Sequence, residues 1–357
     1  MKINHNFFSN LAFQIAEENL GKTKTNPSVG CVAVKGNSVI SSGCTSINGR
    51  PHAEFNTLNK KKNFKGSSLY VTLEPCSHYG LTPPCTKIIK KRKIKKVYFN
   101  FYDPDKRTYK KAKQILKKNN IKLSKLNTAK INKDFYKSYY INKKNNSPYV
   151  DGKIAISDDY FTVNKKSKWI TNERSRLVSH LIRSKYDCII STSKTINKDN
   201  ALLNCRIKGL ESFQPDLVIV DRHLKIKKSL KLLKLNKLRK TYIITSSNNH
   251  KKINYLKKKR FIIIKIKSFD EKKDFRYFKN KLFKIGKRRI LVESGLIFLN
   301  KLLNFKLINN LFIFKSDFPL KDHGFNNTKK NFLKRYKLGD FIKVNLNNDK
   351  LFKIKIK

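Results

Sequence analysis

The chain is poor in acidic residues, tryptophan, cysteine and long apolar runs. Its 357 residues include 24 Asp and Glu against 82 Lys and Arg, together with one Trp and six Cys. No apolar run reaches the roughly 20 residues that a bilayer-spanning helix needs, so we expect no membrane partner. The start, Met1 to His5, is polar, and we therefore expect no signal peptide and a cytoplasmic location. Six cysteines in so long a chain also exclude a disulfide scaffold.

The formal net charge of +58 at first suggests a nucleic-acid partner. However, the excess of Lys, Asn and Ile runs from end to end, inside predicted strands such as 261–267 as well as in loops. A selected binding surface would concentrate the charge, whereas a uniform bias places Lys on tolerant, solvated faces. We therefore expect no specific nucleic-acid partner, and only nonspecific binding to polyanions through counterion release.

The hydrophobic pattern predicts two α/β domains, residues 1–146 and 147–357, a number that also fits the length. In the first domain an opening helix, a hairpin and then alternating strands and helices predict a three-layer arrangement. A Lys- and Asn-rich stretch from about 130 to 148, with a short aromatic helix candidate, indicates a linker. The second domain is predicted to contain a helix capped by Thr171 and to end in antiparallel strands at 311–314, 341–346 and 351–356.

Three zinc-ligand side chains and a spare carboxylate occur at a spacing typical of a hydrolytic metal site. His52 precedes Glu54 by two residues, and Cys76 and Cys85 follow with eight residues between them. One imidazole and two thiolates leave a fourth tetrahedral position of Zn²⁺ open for water, which is typical of a catalytic site. Glu54 would then carry protons as the catalytic acid and base. The alternative is an ordinary structural zinc site, but such sites usually have a fourth protein ligand and shorter Cys spacings.

The strings around these residues resemble a known family. Asn26-Pro27-Ser28-Val29-Gly30, Pro51-His52-Ala53-Glu54 and the stretch from Thr72 to Cys85 are similar to the deaminase half of the bifunctional riboflavin-biosynthesis deaminase/reductases. Deaminases that act on nucleic acids usually have only two residues between the cysteines. The second half resembles the reductase half of the same enzymes, in strings at 153–157, 167–171, 195–199 and 292–295.

The resemblance implies a fold, a substrate and two cofactors. The fold is a cytidine-deaminase-like three-layer domain followed by a dihydrofolate-reductase-like α/β domain. The substrate is a small phosphorylated pyrimidine, 2,5-diamino-6-(5-phosphoribosylamino)pyrimidin-4-one, which loses its ring amine in a zinc-dependent hydrolysis. NADPH then reduces the ribosyl side chain to ribityl. The resemblance also allows a homo-oligomer.

Site residues follow from the same resemblance. Asn26 resembles a pyrimidine-binding Asn, whose amide can donate and accept at a ring edge. Arg183 and Arg206 resemble ligands of the substrate phosphate, a task suited to guanidinium groups. The remaining expected contacts are to substrate, Ser167, Leu203 and Glu293, and to NADPH, Ile156, Trp169, Thr195, Asp199 and Gly295. Gly295 is also expected to open a helix whose backbone N–H groups can face the cofactor phosphates.

Several positions depart from the family pattern. Leu81 stands where the family usually has Lys or Arg, which removes an expected phosphate contact on the deaminase side. The departures in the reductase half are Tyr160 for Gly, Asn200 for Asp, Arg222 for a cofactor-side Ser and Leu296 for Pro. Two alternatives therefore stay open at this stage. One is a deaminase with a degenerate, structural reductase domain, and the other is an RNA-editing or RNA-binding deaminase that uses the net positive charge.

Overall fold

A computed structural model of the chain describes residues 4–127, 134–211, 213–234, 238–328 and 332–356. The chain divides into two compact units, one ending at Ser147 and the other beginning at Pro148. Each unit has its own sheet and its own apolar core. In the described ranges, no helix is both long and apolar enough to span a bilayer.

The first unit is a five-stranded sheet flanked by helices, in the strand order β2-β1-β3-β4-β5. The β1–β2 and β1–β3 pairs are antiparallel, and the β3–β4 and β4–β5 pairs are parallel. Its elements are α1 (His5–Glu17), β1 (Gly30–Lys35), β2 (Ser38–Cys44), α2 (Ala53–Leu58), β3 (Ser68–Leu73), α3 (Cys85–Lys91), β4 (Lys96–Phe101), α4 (Ala112–Lys117), β5 (Lys122–Lys125) and α5 (Lys137–Asn145). This order confirms the predicted three-layer α/β arrangement.

Helix α1 packs closely on β1 because Gly30 has no side chain. A Cβ at Gly30 would lie 1.8 Å from the carbonyl oxygen of Ala12, far inside van der Waals contact. The apolar face of α1 supplies Phe8, Ala12 and Phe13 to the core, as its helical spacing predicts. The close approach fixes the position of the start of β1, the strand that pairs with both β2 and β3.

The predicted linker contains a helix that belongs to the first unit. Residues 128–133 lie outside the described part, but α5 follows them, and Tyr136 and Tyr139 are buried in the core of this unit. The Tyr136 hydroxyl donates to the carbonyl of Ser28 at 3.1 Å and lies 2.6 Å from the Thr72 hydroxyl. The linker interpretation was wrong for this helix, because its aromatic residues contribute more to burial than its polar composition suggests.

The second unit contains an eight-stranded sheet in the order β11-β10-β9-β8-β12-β6-β13-β15. Every neighbouring pair is parallel except β13–β15. Its elements are β6 (Tyr149–Ile156), β7 (Val163–Asn164), α6 (Glu173–Ser184), β8 (Cys188–Thr192), α7 (Ser193–Asp199), β9 (Asp216–Val220), α8 (Lys231–Lys234), β10 (Thr241–Thr245), α9 (His250–Lys258), β11 (Phe261–Lys265), α10 (Lys272–Lys284), β12 (Arg289–Val292), α11 (Leu296–Asn304), β13 (Asn310–Lys315), β14 (Gly324–Phe325) and β15 (Lys350–Lys355). The short β7 and β14 form a separate antiparallel pair.

Two local predictions for this unit were wrong. Helix α6 is capped by Asn172 rather than Thr171, because the Asn172 side chain accepts the backbone N–H of Ser175. The stretch 341–346 forms no continuous strand and makes only isolated bridges at Phe341 and Leu346. Phe341, Ile342 and Val344 are exposed, so this stretch lacks the buried face that would hold a strand in register.

The parallel strands bring several loops to one edge of the large sheet. The segments that follow β8, β9 and β12 all leave from the carboxyl ends of their strands, where ligands bind in open α/β sheets. Glu293 follows β12 directly, and α7 begins directly after β8. The topology therefore gathers most predicted reductase residues on one side of this unit.

Candidate functional site

Two helix starts and a strand end bring the predicted zinc ligands together in the first unit. His52 is the N-cap of α2, Cys85 is the first residue of α3, and Cys76 follows the end of β3. The His52 Nδ1 atom lies 3.6 Å from the Cys76 sulfur and 3.5 Å from the Cys85 sulfur. In the described part of the chain, no other group of three His, Cys, Asp or Glu side chains converges in this way.

These distances fit a zinc ion. With Zn–S of about 2.3 Å and Zn–N of about 2.0–2.1 Å, a tetrahedral ion would separate a bound nitrogen from a bound sulfur by about 3.5 Å. All three ligand atoms lie within 4.8 Å of one another, and the cluster is half-buried to buried. The donor set, one imidazole nitrogen and two thiol sulfurs, is one that Zn²⁺ prefers. The residues therefore match the predicted metal in both chemistry and spacing.

The two cysteines differ in proton affinity: the Cys76 sulfur is favoured as the anion, and the Cys85 thiol keeps its proton and donates it in a hydrogen bond to Cys76. The Cys85 thiol, the His52 ring and the Cys85 backbone N–H lower the pKa of Cys76 to about 4. That backbone N–H lies at the start of α3 and donates to the Cys76 sulfur at 3.1 Å. The pKa of Cys85 is raised, because its thiol donates to Cys76 and is buried. A cation that binds here would displace the Cys85 proton, because a metal takes cysteine as thiolate.

Glu54 lies beside the sulfur ligands as a carboxyl group with an altered proton affinity. The residue is only 4% exposed. Burial, reinforced by the Cys76 thiolate, raises the pKa of Glu54 to about 7. A group with such a pKa can take up and release a proton at neutral pH, as general acid–base catalysis requires. Glu54 lies in the first turn of α2, the helix whose N-cap is the predicted zinc ligand His52.

Asn26 lies on the loop beside the His52 segment. The side-chain nitrogen of Asn26 donates to the carbonyl of Gly49 at 2.7 Å, and the Thr23 hydroxyl donates to the backbone carbonyl of Asn26 at 2.7 Å. These bonds link the loop before β1 to the segment that leads into His52. Asn26 is thus held next to that segment, although no direct bond joins it to the zinc ligands.

The second unit contains a cavity of about 810 Å³ at the carboxyl edge of its sheet. This volume lies within the range of small-molecule sites, roughly 300–1,000 Å³. Nine predicted substrate or cofactor residues line it: Ser167, Trp169, Arg183, Thr195, Asp199, Leu203, Arg206, Glu293 and Gly295. Ile156 does not, because its side chain is fully buried in the core of this unit.

Two of the residues that line this cavity, Arg183 and Glu293, form a buried ion pair. Arg183 Nε and Nη2 donate to the two oxygens of Glu293 at 2.6 and 2.8 Å, and Lys153 Nζ lies 3.7 Å from Glu293 Oε2. Burial alone would raise the pKa of Glu293, but the two cations lower it to about 2. Glu293 is therefore ionised at neutral pH. Arg183 already uses most of its donors, since its Nη1 also donates to the carbonyl of Asn204 at 3.1 Å.

Arg206 has a more open guanidinium and is supported by His180. Its Nη2 lies 3.3 Å from His180 Nε2, and its Nη1 lies 3.3 Å from the Asn204 side-chain oxygen. Burial and the neighbouring Arg183 and Arg206 cations lower the pKa of His180 to about 4, so the ring is neutral at pH 7. Arg206 is therefore better placed than Arg183 to bind an incoming phosphate.

Four of the expected cofactor residues also line the cavity: Trp169, Thr195, Asp199 and Gly295. The Thr195 hydroxyl accepts the backbone N–H of Gly295 at 3.0 Å, which ties α7 to the start of α11. Trp169 is 49% exposed and lies under the guanidinium of Arg176, 4.6 Å from the ring centroid. Lys168 donates to the carbonyl of Asp199 at 2.7 Å. Gly295 caps α11, as its predicted place after β12 requires.

The residues that depart from the family pattern are accommodated without closing the cavity. Tyr160 has a φ of 69° and Asn200 a φ of 46°, the left-handed region in which Gly or Asn is favoured. Arg222 lines the cavity and pairs with Asp270 at 2.9 and 3.1 Å. Leu296 begins α11 and is buried.

Sequence reasoning missed three residues of these sites. Lys153 and His180 line the cavity, and Arg50 lies beside the zinc ligand His52. Lys153 lies within a string already matched to the family. A cationic side chain on a buried strand could have marked it as a site residue. His180 and Arg50 had no such signal, because their importance comes from neighbours that are distant in sequence.

Comparison with known proteins matches both units to described families. The family model described as the cytidine and deoxycytidylate deaminase zinc-binding region matches residues 2–101, and that described as the RibD C-terminal domain matches residues 148–316. The riboflavin biosynthesis protein RibD of Aquifex aeolicus is 32% identical over 301 residues, which cover 81% of this chain and 80% of that protein. RibD of Buchnera aphidicola is 34% identical over 329 residues, 86% of each chain.

A solved structure supports the same assignment for the whole chain. Acinetobacter baumannii RibD superposes with a TM-score of 0.81 at 25% identity and covers 98% of both chains. This likeness extends over both units, the one with the zinc cluster and the one with the cavity. The chain therefore belongs to the RibD family and is a bifunctional riboflavin-biosynthesis enzyme, with a zinc-dependent deaminase in its first unit and an NADPH-dependent reductase in its second.

Proposed function

We propose that the first unit deaminates 2,5-diamino-6-(5-phosphoribosylamino)pyrimidin-4-one, with Glu54 as the proton carrier and His52, Cys76 and Cys85 as the metal ligands. A bound zinc ion supplies Lewis acidity that makes water nucleophilic near neutral pH. Glu54 would take one proton from the attacking water and deliver it to the ring nitrogen, and would then carry the second proton from the newly added hydroxyl to the amine, which leaves as ammonia as the carbonyl forms. Burial raises the pKa of the Glu54 carboxyl above its ordinary value, which favours uptake of the proton that it later delivers.

Asn26 is proposed to orient the pyrimidine. Its amide can donate and accept at once, so it can distinguish the two edges of a diaminopyrimidine ring. The bond to Gly49 at 2.7 Å restrains the side chain before substrate arrives. Such restraint lowers the entropic cost of ordering the ring in a reactive pose.

The second unit is proposed to reduce the ribosyl chain of the deaminated product. Bound NADPH supplies the hydride. Arg206 binds the substrate phosphate, and Ser167 and Leu203 contact the substrate near it. Glu293, kept ionised by Arg183 and Lys153, accepts hydrogen bonds from the sugar hydroxyls, while Lys153 donates a proton to the sugar oxygen as the ring opens. Trp169, Thr195, Asp199 and the start of α11 at Gly295 are assigned to the cofactor; Ile156 could contact it only through the backbone.

One observation supports the reductase assignment most strongly. The ten residues expected from sequence for substrate and cofactor in the second unit come from six different segments, and nine of them line a single cavity. A domain kept only as a structural module would not need to preserve that arrangement, nor a buried Glu293 paired to two cations. This favours two activities over a deaminase with a degenerate second unit.

The same observations bear on the binding partner of the protein and on its location in the cell. A small phosphorylated pyrimidine is the proposed partner, rather than a specific nucleic acid, because the eight residues between Cys76 and Cys85 lie beside the zinc cluster where an open groove would be needed. The six cysteines are all unpaired, which fits the reducing cytoplasm. The homo-oligomer stays a prediction from the resemblance.

A product assay separates the two activities in one experiment. Purified protein is incubated with the diaminopyrimidine phosphate, with and without NADPH, and products are identified by mass spectrometry. We expect the deaminated ribosyl compound alone without NADPH and the ribityl compound with it. The Glu54→Gln variant should give neither, and Glu293→Gln should stop after deamination. An unchanged product pattern in Glu54→Gln would refute the proposed role of that carboxylate.

A further inference from the structure

The guanidinium of Arg50 lies beside the zinc cluster and has no acidic partner among the described ion pairs. Its Nη1 donates to the Thr82 hydroxyl at 3.0 Å and lies 3.5 Å from His52 Nε2. Arg183 and Arg222, in contrast, each form a two-pronged pair with a carboxylate. Arg50 is half-buried, and its guanidinium forms no ion pair with a carboxylate among those described.

The roles of Arg50 Nη1 and His52 Nε2 in their contact depend on which ring nitrogen of His52 carries the proton. His52 Nδ1 faces both sulfurs, at 3.6 and 3.5 Å, and is the atom that a metal would bind. A neutral imidazole used in this way carries its proton on Nε2, which here points towards Arg50 Nη1. With a metal on Nδ1, His52 Nε2 and Arg50 Nη1 would both be donors, and an oxygen atom of a ligand beside them would accept from both.

The side chains of Arg50 and His78 both lie close to the backbone of Gly80. Arg50 Nη2 and His78 Nε2 each lie 3.9 Å from the point where a Cβ on Gly80 would stand. The next residue, Leu81, is 87% exposed and brings no charge to this place. Residues 80–82 therefore supply one hydroxyl, from Thr82, and the cation comes from Arg50 instead.

The backbone around Arg50 is held in place before any ligand binds. Asn26 Nδ2 donates to the carbonyl of Gly49 at 2.7 Å, and the backbone N–H of Ser46 donates to the carbonyl of Pro51 at 3.0 Å. These bonds fix the residues on both sides of Arg50. A cation fixed in this way binds an anion at a lower entropic cost than a free surface lysine does.

We propose that Arg50, with the Thr82 hydroxyl, binds the phosphate of the deaminase substrate in place of the cation that Leu81 lacks. The inference rests on the proposed function, since it assumes a phosphorylated pyrimidine in the first unit. A guanidinium can donate two parallel hydrogen bonds to a phosphate, which gives both affinity and orientation. Arg50 would then set the distance between the phosphate and the reacting ring carbon.

The test compares Arg50→Gln with wild type on the phosphorylated substrate and on the same compound without its phosphate, by ammonia release. We expect Arg50→Gln to raise KM about 10- to 100-fold for the phosphorylated substrate, the loss of one or two charge-assisted hydrogen bonds, and to leave KM for the dephosphorylated compound within about threefold of wild type. Arg92→Gln, which removes an exposed guanidinium lying over Phe64, is the matched control and should change neither. An equal rise in KM for both compounds, or no rise, would overturn the inference.

Two further measurements keep the result interpretable. Zinc content should stay at about one ion per chain in Arg50→Gln, which separates phosphate binding from loss of the neighbouring metal ligand; a drop in zinc would assign Arg50 to the metal site instead. Adding Leu81→Lys to Arg50→Gln should restore KM to within about threefold of wild type, because it returns a cation beside Thr82, the residue that Arg50 contacts. Failure of that rescue would overturn the statement that Arg50 replaces the missing cation.

Failure of the proposed function gives a different pattern. If wild type releases no ammonia from the phosphorylated substrate, the deaminase assignment fails whatever Arg50 does. Phosphate binding is then measured without turnover, by calorimetric titration of ribose 5-phosphate into Arg206→Gln protein, in which the candidate phosphate ligand of the second unit is removed. Binding that disappears on adding Arg50→Gln supports the inference, and binding that persists unchanged overturns it.

Discussion

The ion pair between Glu293 and Arg183 gives a prediction that joins stability to activity. Replacing Glu293 with Gln keeps nearly the same shape but leaves Arg183 and Lys153 without their counter-charge in a site where Glu293 is only 6% exposed. Removing one partner of a buried ion pair costs about 3–5 kcal/mol. The pKa of Glu293 leads to a similar figure. It is lowered from 4.5 to about 2, and a tenfold change in an acid constant corresponds to about 1.4 kcal/mol, which gives about 3 kcal/mol.

The pH dependence of this stabilisation has a definite sign. The pKa of Glu293 is lower in the folded protein than in the unfolded chain. The carboxylate therefore stabilises the fold fully above pH 4.5, and the stabilisation is lost as the pH falls towards 2. The difference between wild type and Glu293→Gln should be largest at pH 6–8 and should shrink below about pH 4.5.

Urea unfolding followed by tryptophan fluorescence measures this difference in the second unit, to which Glu293 belongs. The chain has one Trp, Trp169, which lies at the cavity of the second unit. We expect Glu293→Gln to be less stable by about 3 kcal/mol at pH 7 and to lose reductase activity while ammonia release continues. Lys273→Gln, which breaks an exposed ion pair with Glu271, should leave the curve unchanged. A Glu293→Gln curve that matches wild type would refute the buried-pair reasoning.

Three further predictions test other parts of the structure. Gly30→Ala should prevent α1 from packing on β1, because the new Cβ would lie 1.8 Å from the Ala12 carbonyl oxygen, and its thermal unfolding should begin well below that of wild type; an unchanged melting curve would contradict the close approach. Tyr136→Phe removes a buried hydroxyl that bonds Ser28 and Thr72 and should cost about 1–3 kcal/mol, measured by urea unfolding against Tyr277→Phe, an exposed tyrosine expected to be neutral. Cys85→Ser should lower bound zinc from about one ion per chain to near zero, by atomic absorption, whereas Cys44→Ser, outside the cluster, should keep it.

The metal cluster was predictable because its chemistry is carried by few residue types at a restrictive spacing. His52, Cys76 and Cys85 were expected from the sequence alone, and the structure brings their ligand atoms within 4.8 Å. Strand and helix alternation was predictable for the same reason, since apolar periodicity on a buried face leaves few alternatives. The sheet order β2-β1-β3-β4-β5 and the mixed topology of the second sheet follow from contacts that no local pattern contains.

The misplaced features have a common physical cause. The aromatic helix after Tyr136 was predicted but assigned to a linker, and 341–346 was predicted as a strand. Burial decided both, because the first core covers Tyr136 and Tyr139 whereas Phe341 is half exposed. Ile156 was expected at the cofactor, yet its side chain points into the core because alternation along β6 leaves it no other face.

Pairing between distant residues was also beyond the sequence. Arg183 was expected at a phosphate, but its guanidinium bonds Glu293, 110 positions away. His180 supports Arg206 from α6, and Arg50 reaches Thr82 across the zinc loop. Arginines of this kind differ only in what surrounds them, so sequence could name them as candidates but could not divide the roles among them.

Ammonia release by two proteins with equal zinc content tests the central claim most directly. Wild type and Glu54→Gln are loaded to about one zinc per chain, and ammonia is measured from the diaminopyrimidine phosphate under identical conditions. The account predicts rapid release by wild type and a rate at least about 100-fold lower for Glu54→Gln, because the proton carrier is gone while the metal remains. Equal rates from the two proteins would contradict it.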